Sequence, residues 1–254
     1  MSALSLLPGI GMMALAWIAV LYWRQRSKVA STLFLWGALA WITGVVLKSA
    51  ASIPTPAIAN GVRAVLSRYF SEPILWLHSG LLTGIFECGI TLAFAWTRRI
   101  RMVDWGGAVA FGLGFGAIEA FLLGMVSFLT ALLTILIPDR LPSELLGSAA
   151  SGAVSPLVIP VPIVERATFI LLHAFSCVLI LYAARTKVWK WFWISFFYKT
   201  VVDGIAGFIN ITYGVQNLTI LTLWAVEIIL LPFGLVGLWG LWTFPSRWKG
   251  LDGV

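Results

Sequence analysis

The chain has 254 residues, 60% of them hydrophobic and 11% charged, with a mean hydropathy of +0.97. A soluble domain carries about a quarter charged residues, so this chain cannot cover a water-facing surface and is expected to be an all-α, multi-pass membrane bundle. Its net charge of +7 then serves topology and contact with anionic lipid headgroups; no nucleic-acid partner is expected.

Seven stretches reach the ~20 apolar residues that cross a bilayer: about 5–23, 30–47, 73–97, 105–137, 163–184, 191–213 and 218–243. The first starts without a basic segment and ends in "RQRSK" rather than at a small-residue cleavage site, which reads as a retained helix rather than a signal peptide. Between spans two and three, residues 49–72 begin with Pro54 and Pro56. They then place Ala57, Ile58, Val62, Val65, Leu66 and Phe70 at roughly helical spacing beside Arg63 and Arg68, as an interfacial helix would. Residues 138–162 mix five prolines with Gly and Ser, too broken for a lipid-exposed span, and are read as an outer or re-entrant loop. No second domain is expected.

Basic residues set the orientation. Arg24, Arg26, Lys28, Arg98, Arg99, Arg101, Arg185, Lys187, Lys190, Arg247 and Lys249 lie on one side; Lys48, Arg63, Arg68 and Arg140 lie on the other. The excess marks the cytoplasmic face, with the N-terminus outside and the C-terminus in the cytoplasm of a bacterial-type plasma membrane.

Seven formal charges remain inside the spans: Glu87, Glu119, Glu165, Arg166, Lys199, Asp203 and Glu227, accompanied by His173. A charge at the centre of a membrane helix costs about 2.5–3.5 kcal/mol on insertion scales, so such groups are expected to face a shared interior and to pair. Lys199 and Asp203 are spaced i, i+4 and could pair with each other. Arg166 and His173 share a face two turns apart, and Glu165 points elsewhere. Glu87, in "IFECGIT", has no partner nearby in sequence. In "FGLGFGAIEA", Gly112, Gly116 and Glu119 fall on one face, with Gly114 between the two glycines. Such small residues let a neighbouring helix approach the acid closely. Cys88 and Cys177 sit in apolar runs as small buried residues, not as a disulfide or a metal pair.

In order, "IFECGIT" (Glu87, Cys88, Thr91), "GLGFGAIEA" (Gly112, Gly114, Phe115, Gly116, Glu119), "VERATFILLHAFS" (Glu165, Arg166, His173) and "FYKTVVDG" (Lys199, Asp203) resemble the YhfC-type family of intramembrane proteases. That family is related at a distance to the CAAX-protease-like and PrsW-like membrane proteases. The resemblance covers about residues 70–210. It implies an endopeptidase acting on a membrane-protein or peptide substrate, with Glu87, His173, Glu119 and Asp203 as catalytic candidates and Arg166, Lys199 and Glu165 in support. Cys88 stands where the family pattern has a second Glu, Thr91 at an Arg, Phe115 at the His of the glycine motif, and Lys199 at the His before the Asp. The resemblance also makes zinc a candidate cofactor. With His78 and His173 the two histidines of the chain, however, the ligands are few and no metal site is assigned. A metal-free mechanism would use Glu87 as base for a water and His173 as its partner. The departures leave open a catalytically silent relative that binds a membrane peptide, partner protein or lipid. They also leave open a small transporter relaying charge through Lys199, Asp203 and Glu119.

Overall fold

The computed structural model describes residues 3–138, 155–214 and 218–249. Among them every regular element is helical. In chain order these are a 3-10 turn (Ala3–Leu6), α1 (Leu7–Ser27), α2 (Ser31–Ser52), α3 (Thr55–Val65), α4 (Arg68–Thr83), a π-helical turn (Gly84–Cys88), α5 (Gly89–Trp96), α6 (Arg98–Arg101), α7 (Trp105–Leu136), α8 (Val161–Thr186), α9 (Lys190–Tyr213), α10 (Ile220–Thr243) and α11 (Pro245–Lys249). Seven helical stretches are long and apolar enough to cross a membrane: α1, α2, the run Arg68–Trp96, α7, α8, α9 and α10.

Helix starts and stops follow local chemistry. The Asp104 carboxylate accepts from the Gly107 N–H at 2.7 Å and opens α7, and the Thr219 hydroxyl accepts from the Thr222 N–H at 3.2 Å and opens α10. Helices α1 and α8 stop at Lys28 and Lys187, whose φ angles of 53° and 62° are left-handed.

Helix α8 is the hub. In its most apolar stretch 83% of residues are buried inside the protein, against 17–39% in the other six. It packs against α7, α9, α10 and α1, while α2 lies on α7 and α4 on α9. The glycines of α7 set two of these distances. A Cβ on Gly112 would lie 2.6 Å from the Ala174 carbonyl of α8, and one on Gly114 would lie 2.1 Å from the Phe34 carbonyl of α2. Backbones approach this closely only where side chains are absent.

Three boundaries differ from the sequence reading. Helix α2 does not stop at residue 47 but continues to Ser52, because nothing between Leu47 and Pro54 breaks it. Lys48 is therefore a helical residue and not a loop charge. Within 49–72 the separate helix is limited to Thr55–Val65, which has no buried residue, and α4 has begun by Arg68. Of the expected loop at 138–162, residues 139–154 lie outside the described residues, and Val161 already starts α8.

Candidate functional site

Five spans bring their polar side chains to one place. The π-helical turn is the least regular of the contributing elements and carries Glu87. An inserted turn of this kind re-aims the side chains that follow it, and such bulges recur at functional sites. Gly84 at its start and Gly89 just after it weaken the regular helix there. Glu87 is 3% exposed, and both its oxygens are engaged. Oε1 accepts from Lys48 Nζ of α2 at 2.7 Å, and Oε2 accepts from Lys199 Nζ of α9 at 2.9 Å.

The second acid, Glu119 of α7, receives Arg166 Nη1 on Oε1 at 2.5 Å and the Trp41 indole N–H on Oε2 at 3.1 Å. Arg166 is 6% exposed. Its second nitrogen reaches Glu165 at 2.6 Å, and its guanidinium lies 4.6 Å above the Phe169 ring. His173 stands between the two acids, with Nε2 2.7 Å from Glu119 Oε2 and Nδ1 3.9 Å from Glu87 Oε2. The imidazole is thus held between the two acids, closer to Glu119 than to Glu87. Gly116 permits the approach. A Cβ there would meet Ile170 Cα at 2.9 Å and His173 Cβ at 3.2 Å.

Glu87, Glu119, Arg166, His173 and Lys199 thus form one connected lattice, which Asp203 joins through Lys48 Nζ at 3.9 Å. Lys48 also donates to the Thr83 hydroxyl at 3.2 Å. It lies at the boundary between the buried lattice and a cavity of about 440 Å³ lined by Ser49, Ser52, Ser79, Asp203 and Asn210. This polar vestibule lies between α2, α4 and α9.

Several sequence-level pairings are corrected. Lys199 does not pair with Asp203. The backbones of α4 and α9 approach so closely at Gly80, where a Cβ would lie 2.1 Å from the Thr200 carbonyl, that Lys199 faces the π turn and its acid. The transporter alternative loses the pair on which it rested. Glu87, without a local partner in sequence, has two cations supplied from other helices. Glu165 does not point away but returns to its neighbour Arg166, whose long fork spans both acids. Cys88 lies 3.9 Å from the Ser195 hydroxyl, which also meets the Ser176 hydroxyl at 2.5 Å. Glu227 stays outside the lattice, buried on α10 with one carboxylate oxygen unpartnered, and His78 contacts Thr55 at 3.3 Å. Lys48 and Trp41 are the site residues that sequence reasoning missed.

The donor set does not suit zinc. A zinc site needs three or four deprotonated Cys, neutral His or carboxylate donors aimed at one centre. Among the described residues no group of three or more His, Cys, Asp or Glu is so arranged. Glu87 and Glu119 approach opposite nitrogens of His173, so the three share no focus. Beside Glu87 and His173 stand Phe115, whose ring lies 5.2 Å from the imidazole, Phe169 at 5.9 Å, and the ammonium groups of Lys199 and Lys48. Phenyl rings and ammonium groups have no lone pair to offer.

No curated protein and no solved structure matches the chain. A family model described as YhfC intramembrane metalloprotease matches residues 11–230, which span all the lattice helices. The chain therefore belongs to the YhfC intramembrane metalloprotease family.

Proposed function

We propose that this member of the family uses its charged chamber to hold a membrane-embedded peptide segment of another protein and does not hydrolyse it. The observation that carries this reading is the state of Glu87. Peptide hydrolysis needs a base or metal that can activate water and a donor set for the oxyanion. Here each Glu87 oxygen already accepts from an ammonium group, so the carboxylate serves as a counter-ion. The polar vestibule would receive exposed backbone carbonyls or N–H groups from a locally unwound segment. Its serines, Asn210, Lys48 and Asp203 offer both donors and acceptors. With the N-terminus outside, as the basic residues imply, the vestibule opens on the outer face of the plasma membrane.

A metal-free hydrolysis is the second reading. One observation favours it: His173 Nδ1 has no hydrogen bond and faces Glu87 across 3.9 Å, while Glu119 stands behind Nε2. A photo-crosslinking residue at Ser79, in the vestibule wall, separates the two in the native host. The binding reading expects an intact partner, captured equally by the otherwise unchanged chain and by His173→Ala. Partner fragments that disappear in both His173→Ala and Glu87→Ala would establish cleavage and overturn it.

A further inference from the structure

We infer that the Lys199 ammonium is the resident cation of this chamber, held where a metalloprotease fold would call for a metal ion, and that the protein neither requires nor accepts one. This holds whether the chamber binds its segment or cuts it.

Lys199 is 2% exposed, with Nζ 2.9 Å from Glu87 Oε2 and 4.1 Å from the centre of the Phe115 ring. A carboxylate on one side and an aromatic face on the other make a seat for an ammonium group. Phe115 and Lys199 are two of the four positions at which the sequence departs from the pattern it resembles, and in the fold they touch. One departure removes a possible ligand and supplies a π face. The other introduces the cation that the face receives. Lys48 completes the arrangement from the opposite side at 2.7 Å, so two ammonium groups bring to Glu87 the charge of one divalent ion. A metal entering between Glu87 and His173 would have to displace Lys199 or sit against its like charge, with two protein donors at most. The other lattice acids already face cations: Glu119 is engaged by Arg166 and Trp41, Glu165 by Arg166, and Asp203 lies 3.9 Å from Lys48.

The test uses the full chain in detergent micelles, loaded with excess zinc chloride, desalted and assayed for bound metal by plasma mass spectrometry while melting is followed in parallel. The unsubstituted protein is expected to retain only traces of zinc and to melt at the same temperature in zinc and in EDTA. The double variant Phe115→His, Lys199→His is expected to gain about one zinc per chain and a zinc-dependent rise in Tm. Stoichiometric zinc on the unsubstituted protein, with a lower Tm in EDTA, overturns the assignment. So does a folded double variant that takes up no zinc. If the double variant does not fold, Lys199→Met decides. It is expected to lower Tm, with partial recovery when Glu87→Gln is added, because the acid then no longer needs the cation. A Lys199→Met protein that melts like the parent overturns the assignment as well.

Discussion

Replacing Arg166 by Met keeps most of the side chain's length and removes its charge, so it isolates what the guanidinium contributes. Arg166 is 6% exposed and bridges Glu119 at 2.5 Å and Glu165 at 2.6 Å. Removing one partner of a buried ion pair costs about 3–5 kcal/mol because the other charge is left uncompensated. The Glu119 contact falls in that class, softened because Trp41 and His173 stay beside it. The Glu165 side chain is 35% exposed, and a pair at that level of solvation adds only about 0–1 kcal/mol. The contact with Phe169 contributes a further 1–2 kcal/mol or so in a desolvated setting. Retained burial of the methionine offsets part of this, leaving a net loss of about 3 kcal/mol. By the scaling for chains of this size, ~2–4 °C per kcal/mol, that is a fall of about 6–12 °C in a detergent-solubilised melt. Arg166→Lys should recover less than half of the loss, since an ammonium cannot reach both acids in the fork geometry. Adding Glu119→Gln to Arg166→Met should recover more than half. An Arg166→Met protein that melts within about 2 °C of the parent, less than 1 kcal/mol on that scaling, would refute the buried lattice as the source of stability.

The other expectations are smaller or more local. Gly112→Ala should destabilise by about 1–3 kcal/mol through forced separation of α7 from α8, since its Cβ would meet backbone at 2.6 Å. Gly61→Ala, with nothing within 4 Å on the exposed helix α3, should instead be neutral or raise Tm slightly; melting curves of the two variants make the comparison. Trp41→Phe removes a donor to a buried carboxylate and should cost about 1.5–3 kcal/mol, measured in the same melt. Ser52→Cys, in the vestibule wall, should react with a membrane-impermeant maleimide on intact cells, whereas Ser246→Cys at the opposite end should react only after permeabilisation. The native Cys88 and Cys177, both fully buried, should stay silent. The reverse labelling pattern would invert the proposed orientation.

The spans were legible because the bilayer imposes a hard length, and a chain with so few charges has few places to break its apolar runs. Their ends were less legible. Lys48 follows the last residue of an apolar run and reads as a loop charge, but "KSAAS" contains nothing that stops a helix before Pro54. That signal was present and would have placed Lys48 near the other intramembrane charges. Trp41 had no such mark, since the chain carries 14 tryptophans and nothing in the sequence singles this one out. The π turn at Glu87 was hinted at only by glycines on both sides. The pairings failed for a general reason. Spacing of i, i+4 identifies which groups share a face of one helix, as Lys199 and Asp203 do, but a buried charge takes the partner that best excludes water. That choice is made by interhelical distances, here by Gly80 against Thr200, which no single-helix pattern contains.

The four departures from the family pattern bear on whether this chamber is eroded or refitted. An eroded site would leave buried charges without partners, each costing several kcal/mol. In the lattice every formal charge lies within 3.9 Å of an opposite one. The departing residues are also absorbed individually. Cys88 packs on the Ser176–Ser195 hydroxyl pair, the Thr91 hydroxyl donates back to the Glu87 carbonyl at 2.7 Å, and Phe115 lies under the Lys199 ammonium. Exchanging a ligand for a cation without the aromatic face, or the reverse, would strand a charge or leave a gap. On the reading proposed above, the two changes belong together: the chamber's positive charge is covalently part of the chain, and the aromatic face receives it.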